Sequence, residues 1–374
     1  MDKKSMVADL AALVTAESPS SDLGAVDACA DVVADIGERH LGSAPERIHI
    51  DGRQHLRWSF GAEPKVMLLG HFDTVWPLGT LAELPWSVTD NIATGPGVFD
   101  MKAGIVQLFH ALASLPSLDG VVVLLNSDEE IGSPTSRALI EEQARQVDAV
   151  LVLEAAADGA VKTARKGMSL YCVDIEGRAA HAGLEPERGV NAVVELAHQI
   201  QAVVELADPA AGTSVVPSVI SGGTTTNTVA AQAQLWCDVR MWSAKEQERI
   251  DRSIRALTPA LAESRISVSG GPNRGPLESV SSEKLYFLAH QVSSESGLGM
   301  LRDCAVGGAS DGNFTAAVGT PTLDGLGAVG GGAHAATEHG GGAHAATEHV
   351  EIDQMIPRAT LLAGLVTRIL EGGL

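Results

Sequence analysis

Several acidic residues and one histidine follow runs of apolar residues, at the positions where buried strands are expected to end. They are His71 and Asp73 after residues 66–69, Glu129 and Glu130 after residues 121–125, and Glu154 after residues 149–153, with Asp100 in the glycine-containing loop 95–102. Imidazole and carboxylate ligands suit Zn, Mn or Co, and carboxylates crowded into one crevice repel one another unless cations neutralise them. These residue types therefore predict a site for one or two metal ions.

The spacing within this set suggests different roles for its members. Asp73 is two residues from His71, so on an extended strand both side chains point the same way, and the carboxylate could accept the second ring N–H of a metal-bound imidazole. The adjacent side chains of Glu129 and Glu130 diverge, so one could bind metal while the other acts as a general base. A carboxylate shared by two ions about 3.5–4 Å apart would make a two-metal site.

The elements that must position these residues are three buried strands separated by helical patterns. Such an order predicts β-α-β connections and a parallel sheet, which would bring the polar strand ends to one edge. Residues 166–275 instead show half-exposed alternation around an amphipathic helix at 190–206. We therefore predict an α/β fold, a mainly parallel sheet flanked by helices (1–165 and 276–374), with an inserted smaller α+β unit of antiparallel sheet and helices (166–275). The chain is expected to leave this insert near Gly270-Gly271-Pro272.

Composition narrows the classes of partner. The net charge of -21 disfavours nucleic acids and anionic membrane surfaces, because both are bound through basic patches. The four cysteines form no C-x-x-C pair, which argues against a zinc knuckle or a disulfide framework. The amino terminus leads into a helical pattern and no uncharged apolar run reaches about 18 residues, so a cytoplasmic location without membrane anchorage is expected.

A tandem repeat lies near the carboxyl end. The ten residues GGGAHAATEH occur at 330–339 and again, letter for letter, at 340–349. Solenoid repeats have periods of about 20 residues or more, so this is better explained as a duplicated segment, natural or introduced. Loop-closure entropy grows slowly with loop length, and ten additional surface residues therefore need not prevent folding.

Four ordered motifs resemble those of the dinuclear-zinc M20 peptidases. They are HFDTV at 71–75, GPGVFDMK at 95–102, NSDEEIGS at 126–133 and GRAAHAG at 177–183. Within that family the resemblance is strongest to the glutamate carboxypeptidases of the carboxypeptidase G2 type. Acetylornithine deacetylase, succinyl-diaminopimelate desuccinylase and aminoacylase-1 are related enzymes.

The resemblance implies a role for each matching residue. It implies one zinc held by His71, Asp100 and Glu154, with Asp100 bridging to a second zinc held by Glu130 and a histidine near the carboxyl end; Asp73 would orient His71, Glu129 would be the general base, and Asn227 and Arg274 would bind substrate. Co²⁺ or Mn²⁺ could replace zinc. His181 matches the histidine that reaches the active site of the partner subunit and stabilises the oxyanion, which implies a homodimer with residues 166–275 as its dimerisation or lid domain.

The histidine that completes the second zinc site is ambiguous because of the repeat. His344 keeps the family's spacing to Val350-Glu351-Ile352, whereas His334 keeps the spacing from Leu323-Asp324-Gly325. We favour His344. Whichever copy is used, the other must form an additional loop.

Three functions are compatible with these residues. The resemblance implies a zinc-dependent amidohydrolase or carboxypeptidase that removes a C-terminal amino acid, glutamate-like, from an N-acyl or peptidyl substrate with a free carboxylate. An N-acyl amino acid deacylase or dipeptidase would use the same site. The third is a non-catalytic metal-binding scaffold, inactivated because the duplication displaces the second-zinc histidine. Taken singly, Glu129-Glu130 could be a solvated acidic turn and Arg274 a surface loop charge.

Overall fold

The computed structural model describes residues 1–332 and 347–374. The helices in this part of the chain are α1 (Lys3–Thr15), α2 (Leu23–Leu41), α3 (Ala103–Leu112), α4 (Arg137–Ala144), α5 (Ala192–Val204), α6 (Ala244–Arg255), α7 (Ser279–Glu295), α8 (Gly312–Ala317) and α9 (Ile352–Leu370). The strands are β1 (Glu46–Ile50), β2 (Arg53–Ser59), β3 (Val66–His71), β4 (Ser87–Thr89), β5 (Ile92–Thr94), β6 (Val121–Asn126), β7 (Ala149–Val152), β8 (Val161–Arg165), β9 (Gly167–Glu176), β10 (Ser214–Gly222), β11 (Gln232–Met241), β12 (Arg265–Arg274), β13 (Asp303–Val306), β14 (Thr322–Leu323), β15 (Gly330–Gly331) and β16 (His349–Glu351).

The chain forms two compact units. The first consists of residues Met1–Ala164, Ser279–Val306 and Ser310–Leu374, and the second of Arg165–Glu278 with Gly307–Ala309. No helix among the described residues combines the length and the apolar character that crossing a membrane requires. The predicted dimerisation role of the second unit stays a prediction.

The central sheet of the first unit has the strand order β1-β2-β6-β3-β7-β14. Strand β3 pairs in parallel with β6 and β7, and β14 pairs in parallel with β7, whereas β1 and β2 form an antiparallel edge. Val66 and Leu68 pack with α1, α2, α3 and α9 on one face; Met67 and Leu69 pack with α4 and α8 on the other. Strand β3 is apolar without interruption because it packs against helices on both faces of the sheet. The predicted α/β fold is confirmed.

A smaller sheet in the same unit contains both ends of the repeated segment. Its strand order is β15-β16-β5-β4, so Gly330–Gly331 of the first copy pairs with His349–Glu351, which begins on the last residue of the second copy. Gly332 has a φ of +87°, and a Cβ there would lie 2.6 Å from the backbone N of Glu348. The glycines of the first copy therefore pack directly against the tail of the second.

The second unit is an antiparallel sheet of order β10-β11-β9-β12 with α5 and α6 on one face. Alternate residues of β9 and β11, such as Val173 and Leu235, pack beneath these helices. On the opposite face Leu170 and Trp236 are exposed. The predicted half-exposed alternation is therefore present in these two strands.

The chain leaves this unit after Glu278, shortly beyond Gly270-Gly271-Pro272, and these three residues lie inside β12. Gly270 has a φ of +79°, and a Cβ at that position would lie 2.2 Å from the carbonyl oxygen of Leu170 on the neighbouring strand. These glycines accordingly mark a close approach of two backbones within a sheet rather than a boundary.

A buried hydrogen-bonded cluster joins the first three helices. Asp9 of α1 accepts hydrogen bonds from Arg39 at 2.9 Å, His40 at 2.8 Å and His110 at 2.9 Å. These three acid and imidazole groups also have the chemistry of metal ligands. However, donor atoms around a tetrahedral ion lie roughly 3.3 Å apart, since metal–ligand bonds are about 2.0–2.1 Å. The shorter separations and the Arg39 ion pair indicate shared protons that hold α1 on α2 and α3.

This cluster predicts a loss of stability in acid. Burial opposes ionisation of Asp9, but hydrogen bonds from Arg39, His40 and His110 outweigh it and lower the pKa of Asp9 below its usual value of 3.8. A lowered folded-state pKa gives stability that is present above the unfolded pKa and is lost as pH falls through the folded one. Burial also lowers the pKa of His110, so protonation of this ring near pH 6 in the unfolded chain acts in the same direction.

We expect Asp9→Asn to lower the free energy of unfolding at pH 7 by about 2 kcal/mol, because hydrogen bonds to a buried charge are lost. The decline of stability between about pH 5 and pH 3 should become shallower. Urea unfolding across this pH range measures both effects, with exposed Asp35→Asn on α2 as the control. Equal pH profiles for Asp9→Asn and the native chain would contradict the assignment.

Candidate functional site

The carboxyl ends of β3, β6 and β7 bring the predicted ligands together. The His71 Nε2 atom lies 3.3 Å from Asp100 Oδ1 and 3.6 Å from Glu154 Oε1. All three side chains are buried, with residue exposures of 1%, 6% and 8%. Two atoms that bind the same tetrahedral ion are roughly 3.3 Å apart, so these separations suit a shared metal ion better than a direct hydrogen bond.

Glu129 and Glu130 join this group from the turn that follows β6. The ligand atoms of His71, Asp100 and Glu130 lie within 4.8 Å of one another, as do those of His71, Glu129 and Glu154. The two overlapping groups share the imidazole and place all four carboxylates around it. The structure thus assembles the five residues that the sequence analysis selected as metal ligands and general base, apart from the carboxyl-terminal histidine.

The charges of this group favour a bound cation. Burial favours the neutral imidazole, but the neighbouring carboxylates of Asp100, Asp73 and Glu154 outweigh burial and raise the pKa of His71 well above its usual value. Burial and the neighbouring Asp100 carboxylate raise the pKa of Glu130 well above the usual range. A group of buried carboxylates that perturbs its members in this way is suited to divalent cations.

Asp73 lies beside His71, as predicted, but its contacts are broader than expected. The His71 Nδ1 atom is 3.1 Å from the backbone oxygen of Asp73 and 3.4 Å from its carboxylate. The Asp73 carboxylate also accepts hydrogen bonds from the backbone N–H groups of Glu129 and Glu130, each at 3.2 Å. Asp73 therefore connects the histidine to the turn that carries both glutamates.

Three supporting residues were not identified from the sequence. Ser20, in the segment between α1 and α2, donates a 2.7 Å hydrogen bond to Asp73. Buried Asp128 accepts hydrogen bonds from Thr135 and Ser136, which shapes the segment after Glu129-Glu130. The third is Glu348, whose carboxylate binds the turn before Asp100. The position of Glu348 next to the Val350-Glu351-Ile352 motif could have identified it from the sequence. No sequence pattern pointed to Ser20.

In the second unit, the structure brings His181 and Asn227 close together. The backbone N–H of Ala182 donates to the carbonyl of Asn227 at 2.9 Å, and His181 forms a β-bridge with Thr228. Both predicted residues are exposed, and the Nδ1 atom of His181 accepts a 3.1 Å hydrogen bond from the N–H of Gly183. This local bond fixes the ring orientation and leaves Nε2 as the N–H donor.

Arg274 is buried, with an exposure of 4%, at the end of β12. Its carbonyl accepts a hydrogen bond from Gln247, which joins the strand to α6. The alternative that Arg274 is a surface loop charge is therefore wrong, since this residue is a buried member of β12. Its predicted role in substrate binding stays a prediction. His334 and His344, the alternative ligands of the second ion, lie outside the described residues.

Comparison with known proteins gives consistent matches. A model of peptidase family M20/M25/M40 matches residues 67–368. Carboxypeptidase G2 from Pseudomonas sp. strain RS-16 is 31% identical over 280 residues, which cover 72% of this chain and 68% of that protein. A succinyl-diaminopimelate desuccinylase from Granulibacter bethesdensis is 26% identical over 281 residues, covering 67% of this chain and 72% of that protein.

The fold has close counterparts among solved structures. The aminopeptidase PepT from Bacillus cereus matches with a TM-score of 0.76 and 18% sequence identity, and the match covers 99% of both chains. At this level of identity the similarity concerns the fold alone. It extends over both compact units and agrees with the predicted fold class.

Proposed function

Because the chain belongs to peptidase family M20/M25/M40, whose metallopeptidases use metal ions, we propose that it hydrolyses the amide bond to a C-terminal amino acid in N-acyl or peptidyl substrates. The observation that carries the proposal is the buried convergence of His71 with Asp100 and Glu154 at distances suited to a shared ion. The adjacent Glu129 supplies a carboxylate from a separate turn.

The donor set suggests how two ions would be held. His71, Asp100 and Glu154 would bind one ion, and Asp100 would be shared with a second ion held by Glu130 and either His344 or His334. Imidazole nitrogen and carboxylate oxygen suit zinc, and Co²⁺ or Mn²⁺ would also be accepted. Such ions supply Lewis-acid charge that polarises the scissile carbonyl and lowers the pKa of water.

Side chains of the protein would transfer the protons that amide hydrolysis requires. Glu129 takes a proton from the attacking water and later gives it to the nitrogen of the leaving amine, so that one carboxylate serves both steps. Asp73 keeps His71 and the Glu129 turn in a fixed relation through the contacts described above. His181 of a second copy is proposed to donate its Nε2–H to the developing oxyanion.

A glutamate-like leaving group is the finer part of the proposal. It is supported by the 31% identity to carboxypeptidase G2 and by Arg274, whose guanidinium could pair with a substrate carboxylate in a bidentate geometry. Asn227 would contribute an amide hydrogen bond. A deacylase or dipeptidase is the alternative within the family. The similarity to a succinyl-diaminopimelate desuccinylase supports the deacylase alternative.

A substrate panel tests this proposal. We expect the zinc-loaded protein to cleave an N-acyl-glutamate faster than the matching N-acyl-glutamine, and not to cleave the same N-acyl-glutamate blocked as its α-carboxamide. Release of the free amino acid is the measurement. Preference for N-acyl groups on other amino acids would support the deacylase alternative. Two bound ions without cleavage of any amide would favour the non-catalytic scaffold and contradict the proposal.

We further propose that the second unit forms a homodimer through β10. This strand lies at the edge of its sheet, where backbone N–H and C=O groups are available for pairing. Val216, Val219 and Ile220 are 50–60% exposed along this strand, and Val193 and Val194 of the nearby α5 are also exposed. Apolar side chains beside a free edge favour association with a second copy of the same strand.

Replacing both Val219 and Ile220 by Lys is expected to convert the dimer into a monomer, because two charges would be buried at the interface without partners. Sedimentation velocity measures the change. Val280→Lys is the control, since Val280 is a 72% exposed apolar residue of α7 in the first unit. If His181 acts in the partner, turnover should fall with the dimer. A native chain that sediments as a monomer would refute the proposed interface.

A further inference from the structure

Glu348 is a buried carboxylate with an unusual number of N–H donors. Its exposure is 3%. Oε1 accepts hydrogen bonds from the backbone N–H groups of Phe99 at 2.8 Å and Asp100 at 3.1 Å. Oε2 accepts from the N–H of Gly97 at 3.0 Å and from the indole Nε1–H of Trp76 at 2.8 Å. Each carboxylate oxygen is thus bound by two donors.

These contacts hold the backbone that presents Asp100. Gly97 has a left-handed φ of +70°, and Asp100 and Met101 depart from helical geometry before α3 begins at Ala103. The N–H groups of Gly97, Phe99 and Asp100 in this turn all point toward the Glu348 carboxylate. The Glu348 carboxylate satisfies them, so the position of Asp100 relative to His71 depends on a residue that is distant in the chain.

The chemistry requires glutamate at this position. Glutamine has one acceptor oxygen, so its NH₂ group would face two of the four N–H donors and leave them unsatisfied. Aspartate is one methylene shorter and would not reach the same donors. Loss of a partner for a buried N–H is costly, because the group has already been removed from water.

The duplication makes the choice of glutamate informative. The first copy contains an identical residue, Glu338, in the same ten-residue sequence. Only the second copy continues into Val350 and Glu351, which pair with Ala93 and Ile92 of β5. That pairing places Glu348 beside the turn that follows β5. The tail of the second copy therefore occupies the position next to the Asp100 turn.

We propose that Glu348, and not the identical Glu338, is a positioning residue that fixes Asp100 for metal binding. This inference rests on the proposed function only for the consequence in turnover. Its structural content, the dependence of metal affinity on Glu348, is independent of any substrate. The two copies of the repeat therefore have different roles in this proposal. The last residues of the second copy hold the Asp100 turn, whereas the Glu338 carboxylate of the first copy is not required for metal binding.

The test compares Glu348→Gln with Glu338→Gln, which have the same chemical change in the same local sequence. Zn²⁺ binding is measured by equilibrium dialysis with atomic absorption, and turnover by amino acid release. For Glu348→Gln we expect at least one ion to bind at least tenfold more weakly, and kcat to fall at limiting Zn²⁺ and recover with excess Zn²⁺. Glu338→Gln should match the native chain in both measurements.

Two further results keep the outcome decisive. If Glu348→Gln does not fold, Trp76→Phe removes a single donor to Oε2 and should weaken Zn²⁺ binding in the same direction by a smaller factor. Native Zn²⁺ affinity in Glu348→Gln or, failing that, in Trp76→Phe would overturn the inference, as would equal losses in the Glu348 and Glu338 variants. A native chain that binds Zn²⁺ but cleaves nothing would refute the proposed function while the affinity comparison still stands.

Discussion

Glu129→Gln is expected to lower kcat by about 10²- to 10⁴-fold while leaving two metal ions bound. The physical reason is that the carboxamide keeps the size of the side chain but cannot take a proton from water. Glu130, in contrast, is expected to be a ligand, so the two neighbouring glutamates should respond differently to the same substitution. Metal content and kcat, measured on the same protein samples, separate the two roles.

The structure makes this experiment necessary, because Glu129 lies within ligand distance of His71 and Glu154. A ligand role for Glu129 would appear as loss of an ion in Glu129→Gln. Glu142→Gln, an exposed substitution on α4, controls for the general effect of removing a negative charge. Loss of metal from the Glu129 variant would show that the assignment of base and ligand must be revised.

The second large effect concerns the histidine that completes the second ion site. We expect the double change His334→Ala with His344→Ala to weaken binding of one ion by at least about 100-fold, since loss of a ligand should exceed the 10- to 100-fold effect of an outer-shell change. If His344 is the ligand, His344→Ala alone should reproduce this loss and His334→Ala should have no effect. If the copies substitute for each other, neither single change will do so.

Deletion of one copy provides the matched reference for these variants. Removing residues 330–339 or 340–349 produces the same chain, because the two segments are identical. This single-copy protein contains one candidate histidine and one glutamate of the repeat, and we expect it to bind two ions. In that background, changing the candidate histidine to alanine without loss of either ion would exclude this histidine as the ligand.

The sequence by itself determined most of the central sheet and its polar edge. The buried strands β3, β6 and β7 are short apolar runs with abrupt polar ends, and this pattern has one common solution, a sheet covered on both faces. Parallel connection then places His71, Glu130 and Glu154 at the same edge. The four ordered motifs also indicated the family, and the family model and the 31% identical relative support that assignment.

Only the tertiary structure decided what surrounds those residues. Ser20 and Glu348 are separated from their partners Asp73 and Asp100 by long stretches of chain, and no local pattern encodes such contacts. Gly270 resembled a domain boundary in the sequence. A glycine is needed there because the backbone of Leu170 on another strand approaches closely, and this contact is non-local. The burial of Arg274 likewise could not be read from its neighbours in the sequence. The periodicity of apolar residues indicates which side of a helix or strand is buried. Which residues pack against that side depends on the tertiary structure.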